Sequence, residues 1–232
     1  MLEVLQNISE LYREMGLRHL RYKAIPHIYH IVPSADDLYA LFRLGAVRYR
    51  CDLSAAIDLD HPRKPSKLRL RDLRKAQRAG VSVTFGPEYL EPFWAVLEAN
   101  LMTKYNTQPV HTLEEITYLQ SRFPEQIRCI VGIVGHRVLA GVVLFQTPRV
   151  MHVQYSASTP EGNSLGASTA VIDYAMEKGA DLGARYFDFG VSNEQEGRIL
   201  NEGLYRFKTS FGAGGVAQEF YEVELNTASG AT

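Results

Sequence analysis

Residues able to do chemistry concentrate between Met151 and Lys208. The stretch VMHVQYSAS (150–158) alternates as a strand does, with Met151, Val153, Tyr155 and Ala157 on one face and His152, Gln154, Ser156 and Ser158 on the other. His152, on the polar face, is either a general base or a structural strand histidine. The strand runs into TPEGNSLGAS (159–168), read as a polar glycine-containing loop, and then into the helical TAVIDYAMEKGA. Free N–H groups at a helix start, with the positive end of the helix dipole, attract anions such as phosphate. Gly162 and Gly166 lack a Cβ and so permit close backbone approach to such a ligand, although an ordinary strand–helix crossover uses the same spacing. A second strand, ARYFDFG, ends near Asp188, which either binds an incoming amine or caps the loop.

Two further groups stand out. Asn201, Tyr205 and Lys208 fall at i, i+4 and i+7 of a short helix, where Asn201 and Tyr205 can orient a substrate or donate a proton. Residues 61–80 hold eight of the chain's 25 lysines and arginines, so the near-neutral total, a formal net charge of −1, hides a strongly basic segment. From Lys67 onward this segment is helical, with Leu70, Leu73 and Ala76 facing inward and Lys67, Arg71, Arg74, Lys75 and Arg78 sharing the other face. Like charges so spaced repel by a few tenths of a kcal/mol each, a cost that an anionic ligand would offset. The face is either simply solvated or a grip on the phosphates of a nucleotide, carrier or tRNA. No Ser-His-Asp set, P-loop or metal-ligand cluster is visible, and no metal is expected.

The remaining sequence positions these groups. At 232 residues and 46% hydrophobic, the chain can form one sizeable α/β domain and a smaller unit. Cys51 and Cys129 lack disulfide or zinc spacing, no apolar run approaches the ~20 residues of a membrane span, and the N-terminus carries no charged-then-apolar leader. A soluble, cytoplasmic protein is expected. A helix over residues 1–15 presents Leu2, Leu5, Ile8, Leu11 and Met15, and a strand follows it to Pro26. Shifted by 164 positions, Arg21-Tyr22 meets Arg185-Tyr186, so helix, connection and strand recur in one order. Ser34 with Asp37 makes a capping-box pattern, as does Thr112 with Glu115. Residues 46–59 look extended, VSVTFG reads as a strand, and the helix beginning YLEPFWAVLEANL buries Phe93, Leu97 and Leu101. Two apolar strands meet in a hairpin at Gly135-His136, and the strand 150–158 is third in that meander. A glycine-rich turn and a last strand precede the polar tail 226–232, expected to be disordered.

Helices, then an antiparallel meander, then strand–loop–helix–strand, is the order of the GNAT N-acyltransferase superfamily. RDLRKAQRAGVSV, ARYFDFGVS and NEGLYRFKTSFG sharpen this, because they resemble segments of FemAB- and FemX-type transferases. The resemblance implies an α/β (α+β) fold with a mostly antiparallel central sheet flanked by helices. It also implies two GNAT-like halves, with residues 1–45 the C-terminal remnant of a truncated first half and 46–225 the transferase domain. The implied activity is transfer of an acyl or aminoacyl group from acetyl-CoA, another acyl-CoA or aminoacyl-tRNA to an amine. The acceptor would be an amine-bearing small molecule or a peptidoglycan (cell-wall) precursor. Binding of tRNA and formation of a homodimer are expected on this reading.

The same resemblance sets Lys208, after Phe207, at the donor or the developing charge, the alternative being a surface lysine packed over Phe207. Phe207 would stack on a base or close the pocket, or else belong to the core. Asp188, His152 and Tyr205 complete the catalytic candidates. The coenzyme pattern Gln/Arg-x-x-Gly-x-Gly/Ala falls on Asn163–Ser168, keeping Gly166 but changing both flanking positions. Ser158, Gly162, Asn163, Gly166, Ala167 and Ser168 are therefore the donor-binding candidates. Gln154, Asn201, Phe207, Arg71, Arg74, Lys75 and Arg78 are the substrate-binding ones. A non-catalytic module that binds RNA or a phosphorylated carrier, and a small-molecule acetyltransferase, are the rival functions.

Overall fold

The computed structural model describes residues 1–225, so the tail expected to be disordered lies outside the described residues. In chain order the first elements are α1 (Leu2–Glu14), β1 (His19–Lys23), α2 (Asp36–Arg43), β2 (Val47–Asp58), α3 (Lys67–Arg78) and β3 (Ser82–Phe85). Then come α4 (Leu90–Tyr105), α5 (Leu113–Arg122), β4 (Ile127–Val134), β5 (Arg137–Gln146), β6 (Val150–Ser158) and α6 (Pro160–Leu165). The last are α7 (Ala167–Asp181), β7 (Tyr186–Val191), β8 (Asn193–Glu194), β9 (Ile199–Leu200), α8 (Glu202–Thr209) and β10 (Gly214–Glu224). The fold is mixed α/β with mostly antiparallel strand pairing, as expected. Two compact units divide the described residues: 1–54, 191–205 and 215–225 in one, and 55–190 with 206–214 in the other. This division does not follow chain order, because β2 and α8 each run from one unit into the other.

In the first unit β1 and β10 pair antiparallel from His19↔Glu224 to Lys23↔Phe220, with β10 also bordering β2. Leu5, Leu20, Ala40, Leu41, Val223 and Leu225 form the core. The buried stripe of α1 runs through Leu5, Ile8 and Tyr12, whereas Leu11 and Met15, expected inward, are 53% and 65% exposed. The stripe advances by i+3 and i+4 steps, which carry it off the Leu11 side of the helix. Ser34 does not cap α2. The N-cap is Ala35, and the Asp37 carboxylate instead accepts the Tyr22 hydroxyl at 2.8 Å.

The second unit is built on the strand order β7-β6-β5-β4-β3, with the end of β2 beside β7. All pairs among these five strands are antiparallel except β6–β7. The hairpin β4–β5 turns at Gly135, where φ is +62°, as its sequence predicts. α4 and α5 lay Leu90, Phe93, Trp94, Leu97 and Ile116 on Cys129, Val131 and Val143. Each such side chain contributes about 1.5–3 kcal/mol of burial. α5 starts in a complete capping box: the Thr112 side chain accepts the Glu115 N–H, and the Glu115 carboxylate accepts the Thr112 N–H.

β6 does not alternate along its whole length. Val143 faces Tyr155 but Leu144 faces Val153, so Gln154 is an extra residue, a β-bulge. Directly opposed residues share a face, and the bulge shifts the phase by one. His152 and Tyr155, read from sequence as back to back, therefore lie on the same face of β6, and Ser156 and Ser158 lie on the other. The segment 159–168 also departs from the expected loop, because Pro160–Leu165 is helical. Thr159 caps that turn, with its hydroxyl accepting the Gly162 N–H at 2.9 Å.

Thr112→Ala removes one half of the α5 capping box and should cost about 1 kcal/mol. A thermal melt should then drop by about 2–4 °C; an unchanged midpoint would show that the cap contributes nothing.

Candidate active site

The β6–β7 ladder is short. It pairs Val150↔Tyr186, Met151↔Phe187 and His152↔Asp188, and among the described residues it stops there although β6 continues to Ser158. Past His152 the ladder has no further pair, so the edge of β6 that faces β7 lies outside it. The mouth of this opening holds three of the four residues expected to be catalytic.

Asp188, 4% exposed, places Oδ2 2.9 Å from His152 Nδ1, while its Oδ1 accepts the Gly190 N–H at 2.9 Å. Of the two alternatives for Asp188, the carboxylate holds the turn, where Gly190 adopts φ +75°, and its other oxygen meets the His152 ring. With Nδ1–H donating to the carboxylate, the lone pair of the neutral ring sits on Nε2. Lys208 is 6% exposed, so it is not a surface lysine, and its Nζ donates to the Gly190 carbonyl at 2.8 Å. Burial pulls its ammonium down to about 8, against the opposing attraction of Asp188. Below that pH it is a fixed cation in a dry setting, where a charge acts far more strongly than in water.

α8 holds Lys208 there through α3. The Arg69 guanidinium lies 5.0 Å from the Phe207 ring centroid and 5.2 Å from that of Phe211. Phe211 in turn stacks against Phe189 of β7 at 5.5 Å. Arg69 also donates to the Thr169 hydroxyl at 2.8 Å and faces Asp72 at 3.4 Å. The Ser66 N–H donates to the Ser210 carbonyl, tying the start of α3 to the chain just past α8. Arg69 was not singled out by sequence, because Leu70 had been expected on the inner face; Leu70 is 41% exposed. The face packed inward runs through Arg69, Leu73 and Ala76, an i, i+4, i+7 pattern, in place of the i, i+3, i+6 stripe of Leu70, Leu73 and Ala76. Phe207 is half-buried, and Arg71, Arg74, Lys75 and Arg78 form an exposed basic face with Lys67.

The donor-binding candidates lie around the far end of β6. Ser158 is buried with Oγ 3.2 Å from the Leu139 and Thr159 carbonyls, and the Asn163 carbonyl oxygen accepts the Ser168 hydroxyl. A Cβ on Gly162 would come within 2.4 Å of the Leu139 carbonyl oxygen, and one on Gly166 within 2.4 Å of that of Asp72. The space these glycines leave is taken by the protein's own backbone. Ala167 is fully buried. Beside them lies a cavity of about 450 Å³ walled by Val96, Ala99, Asn100, Lys104, Thr159 and Asn163 among others. Gln154 is the bulged residue, half-buried on β6.

Asn201 and Tyr205 belong to the first unit. Asn201 caps α8 by accepting the Leu204 N–H at 2.9 Å, and its amide donates to Glu194 at 2.7 Å. Among the described residues no three His, Cys, Asp or Glu side chains group as a metal site would require, and no helix is long and apolar enough to cross a membrane.

Residues 66–208, more than half of the chain, match the family described as an acetyltransferase (GNAT) domain. The chain belongs to the GNAT family. Three solved structures share its fold. FemX superposes with a TM-score of 0.73 at 12% identity, covering 97% of this chain and 76% of FemX. L-PGS from Bacillus licheniformis gives 0.69 at 13%, covering 97% and 74%. The C-terminal domain of a putative lysylphosphatidylglycerol synthetase from Agrobacterium fabrum gives 0.65 at 14%, covering 96% and 73%. A search of curated proteins finds no match. Family and fold together make this GNAT chain an acyltransferase, and its splayed β6–β7 pair, with Lys208 at the mouth, is its candidate active site.

Two outcomes test this construction. The folded chain binds the Lys208 proton less tightly than the unfolded chain does, about 8 against 10.5. The stability contributed by this group should therefore rise with pH between those values. Tyr22 and Cys129, both pushed up to about 12 by burial, pull the other way at high pH, so the quantity to measure is wild type minus Lys208→Met. That difference should climb by up to about 1.4 kcal/mol per pH unit from pH 8 in denaturant titrations; a flat difference means that Lys208 is solvated. Arg69→Ala should lower stability by about 2 kcal/mol, through lost packing on two rings and an abandoned Thr169 hydroxyl.

Proposed function

We propose that this chain transfers an acyl or aminoacyl group from an activated ester or thioester to an amine, with aminoacyl-tRNA as its donor. The observation that carries the chemistry is the buried Lys208 ammonium at the mouth of the β6–β7 opening. In this reading the donor lies against the free edge of β6, with its carbonyl oxygen toward Lys208. The amine nitrogen attacks the carbonyl carbon, and the oxygen of the tetrahedral intermediate gathers negative charge beside a cation that needs no reorganisation. The amine's proton passes to His152 Nε2, and Asp188 steadies the imidazolium that forms. The carbon–oxygen or carbon–sulfur bond then breaks.

Two features favour tRNA over coenzyme A. The glycine positions that would admit a pyrophosphate are packed against the Leu139 and Asp72 carbonyls. The α3 face instead offers Lys67, Arg71, Arg74, Lys75 and Arg78, spaced along a helix and open to a polyanion. An acyl-CoA donor is the second reading, favoured by the 450 Å³ cavity beside Thr159 and Asn163. The acceptor is an amine, on a small molecule or on a cell-wall precursor.

A ligand that binds only the folded chain raises its melting point, by an amount worth about 2.7 kcal/mol at one hundred times its Kd. Titration with a charged tRNA pool should raise the melting point, and acetyl-CoA should not; the reverse result selects the coenzyme. Neutralising Arg71, Arg74 and Arg78 together should weaken tRNA binding and flatten its salt dependence, leaving Lys208→Met to bind without turnover. Full retention of turnover by Lys208→Met would overturn the role given to Lys208, whereas a wild-type chain that binds tRNA without any turnover would leave a non-catalytic binding module.

A further inference from the structure

α1 carries two apolar stripes, and the first unit covers only one of them. Leu5 is buried in that unit's core, with Ile8 and Tyr12 packed against it. The other stripe is Val4, Ile8, Leu11 and Met15, at steps of four, three and four residues, with Met15 at the C-cap. Alternating steps of three and four are the spacing of the seam between two packed helices. Ile8 lies where the stripes meet and is half-buried. Val4, Leu11 and Met15 are 52%, 53% and 65% exposed. Single exposed apolar side chains are ordinary, but three in register along one helix make a face that calls for a partner.

We propose that this stripe is the seam of a homodimer, in which α1 of two copies packs antiparallel across a two-fold axis between Ile8 and Leu11. None of its residues belongs to the candidate active site, so the inference is independent of the transfer reading. In this arrangement the stripe is its own complement. Val4 meets the partner's Met15, and Ile8 meets the partner's Leu11. Each β-branched side chain then packs on one that is unbranched at Cβ, and volume is even along the seam. A parallel pairing would stack Met15 on Met15 and Val4 on Val4, crowding one end and leaving the other thin; it would also align the helix dipoles unfavourably. Asn7 and Glu14, both exposed, flank the seam on the side away from the core. Antiparallel packing sets each Glu14 carboxylate beside the partner's Asn7, whose amide can donate to it. Charge speaks against other occupants: α1 holds Glu3, Glu10 and Glu14 against Arg13 alone, the wrong sign for an anionic lipid surface or a nucleic acid. The uncovered parts of Val4, Leu11 and Met15 amount to roughly 300 Å², against about 800 Å² per partner in an interface of standard size. The dimer is therefore a weak one, with a Kd of about 10–100 μM.

Sedimentation velocity of the full chain from about 1 to about 500 μM tests the assignment. The weight-average mass should climb from that of the monomer toward twice that value. Leu11→Glu puts an unpaired carboxylate into the seam and should weaken association by about 100-fold or more, which keeps the chain monomeric over the whole range. Leu11 is exposed within its own unit, so this variant should keep the wild-type circular dichroism and, at low concentration, the wild-type melting point. Asn7→Lys acts in the opposite direction on a side chain that touches no core: its ammonium meets the partner's Glu14 and should tighten the dimer about 3-fold at low salt, a gain lost at about 1 M salt. A wild-type chain that stays monomeric throughout, or a folded Leu11→Glu chain that associates as wild type does, would overturn the seam. An Asn7→Lys chain that associates no more tightly than wild type would overturn the antiparallel arrangement.

Discussion

The parting of β6 from β7 after His152 and Asp188 is the constraint from which the rest of the second unit follows. A parallel ladder that ran on to Ser158 would bury every main-chain group of both strands and leave nothing to bind. Three paired residues make up this ladder, and β6 runs on beyond it to Ser158. The bulge at Gln154 sits at the start of the free stretch, where an extra residue increases local twist and bends the strand. Asp188 and Gly190 turn β7 aside at the same level, through the carboxylate–amide bond and a left-handed glycine.

A buried ammonium has to be stabilised by its surroundings or it loses its proton. Lys208 keeps its proton at neutral pH because it has the Gly190 carbonyl as acceptor and Asp188 nearby as countercharge. Both partners belong to the turn that parts the strands, so the cation and the opening are consequences of one local arrangement. The helix that carries Lys208 is held down by aromatic packing rather than by charge: Phe211 rests on Phe189, and Arg69 covers Phe207 and Phe211. A cation used as a flat packing surface is a role that guanidinium performs and ammonium does not.

The donor end of β6 departs from an open phosphate loop for an equally local reason. Pro160 at the first helical position and Thr159 as its cap favour a helical turn at once, and Gly162 then lies against the Leu139 carbonyl. Glycines that look like room for a ligand are here room for the chain itself. The outer face of α3 carries the exposed cations Lys67, Arg71, Arg74, Lys75 and Arg78.

Much of this was legible in order and type of element. Binary patterns, the Gly135 turn and the Thr112–Glu115 cap were enough to read an α/β chain and to single out His152 and Asp188 on their strands, because each of these signals is local in the chain; the transferase reading and Lys208 came from the resemblance of a few segments to a known family. Sequence could not show that Tyr155 joins His152, since a single bulged residue inverts the face of everything after it and carries no composition signal of its own. Nor could it show Arg69 turned inward, because an i, i+3, i+6 stripe (Leu70, Leu73, Ala76) and an i, i+4, i+7 stripe (Arg69, Leu73, Ala76) compete on α3 and only the aromatic partners 138 and 142 residues away, Phe207 and Phe211, decide between them. Local propensity determined which residues form strands and helices; contacts between distant segments decided which side chains meet, because burial and register are settled only when those segments pack.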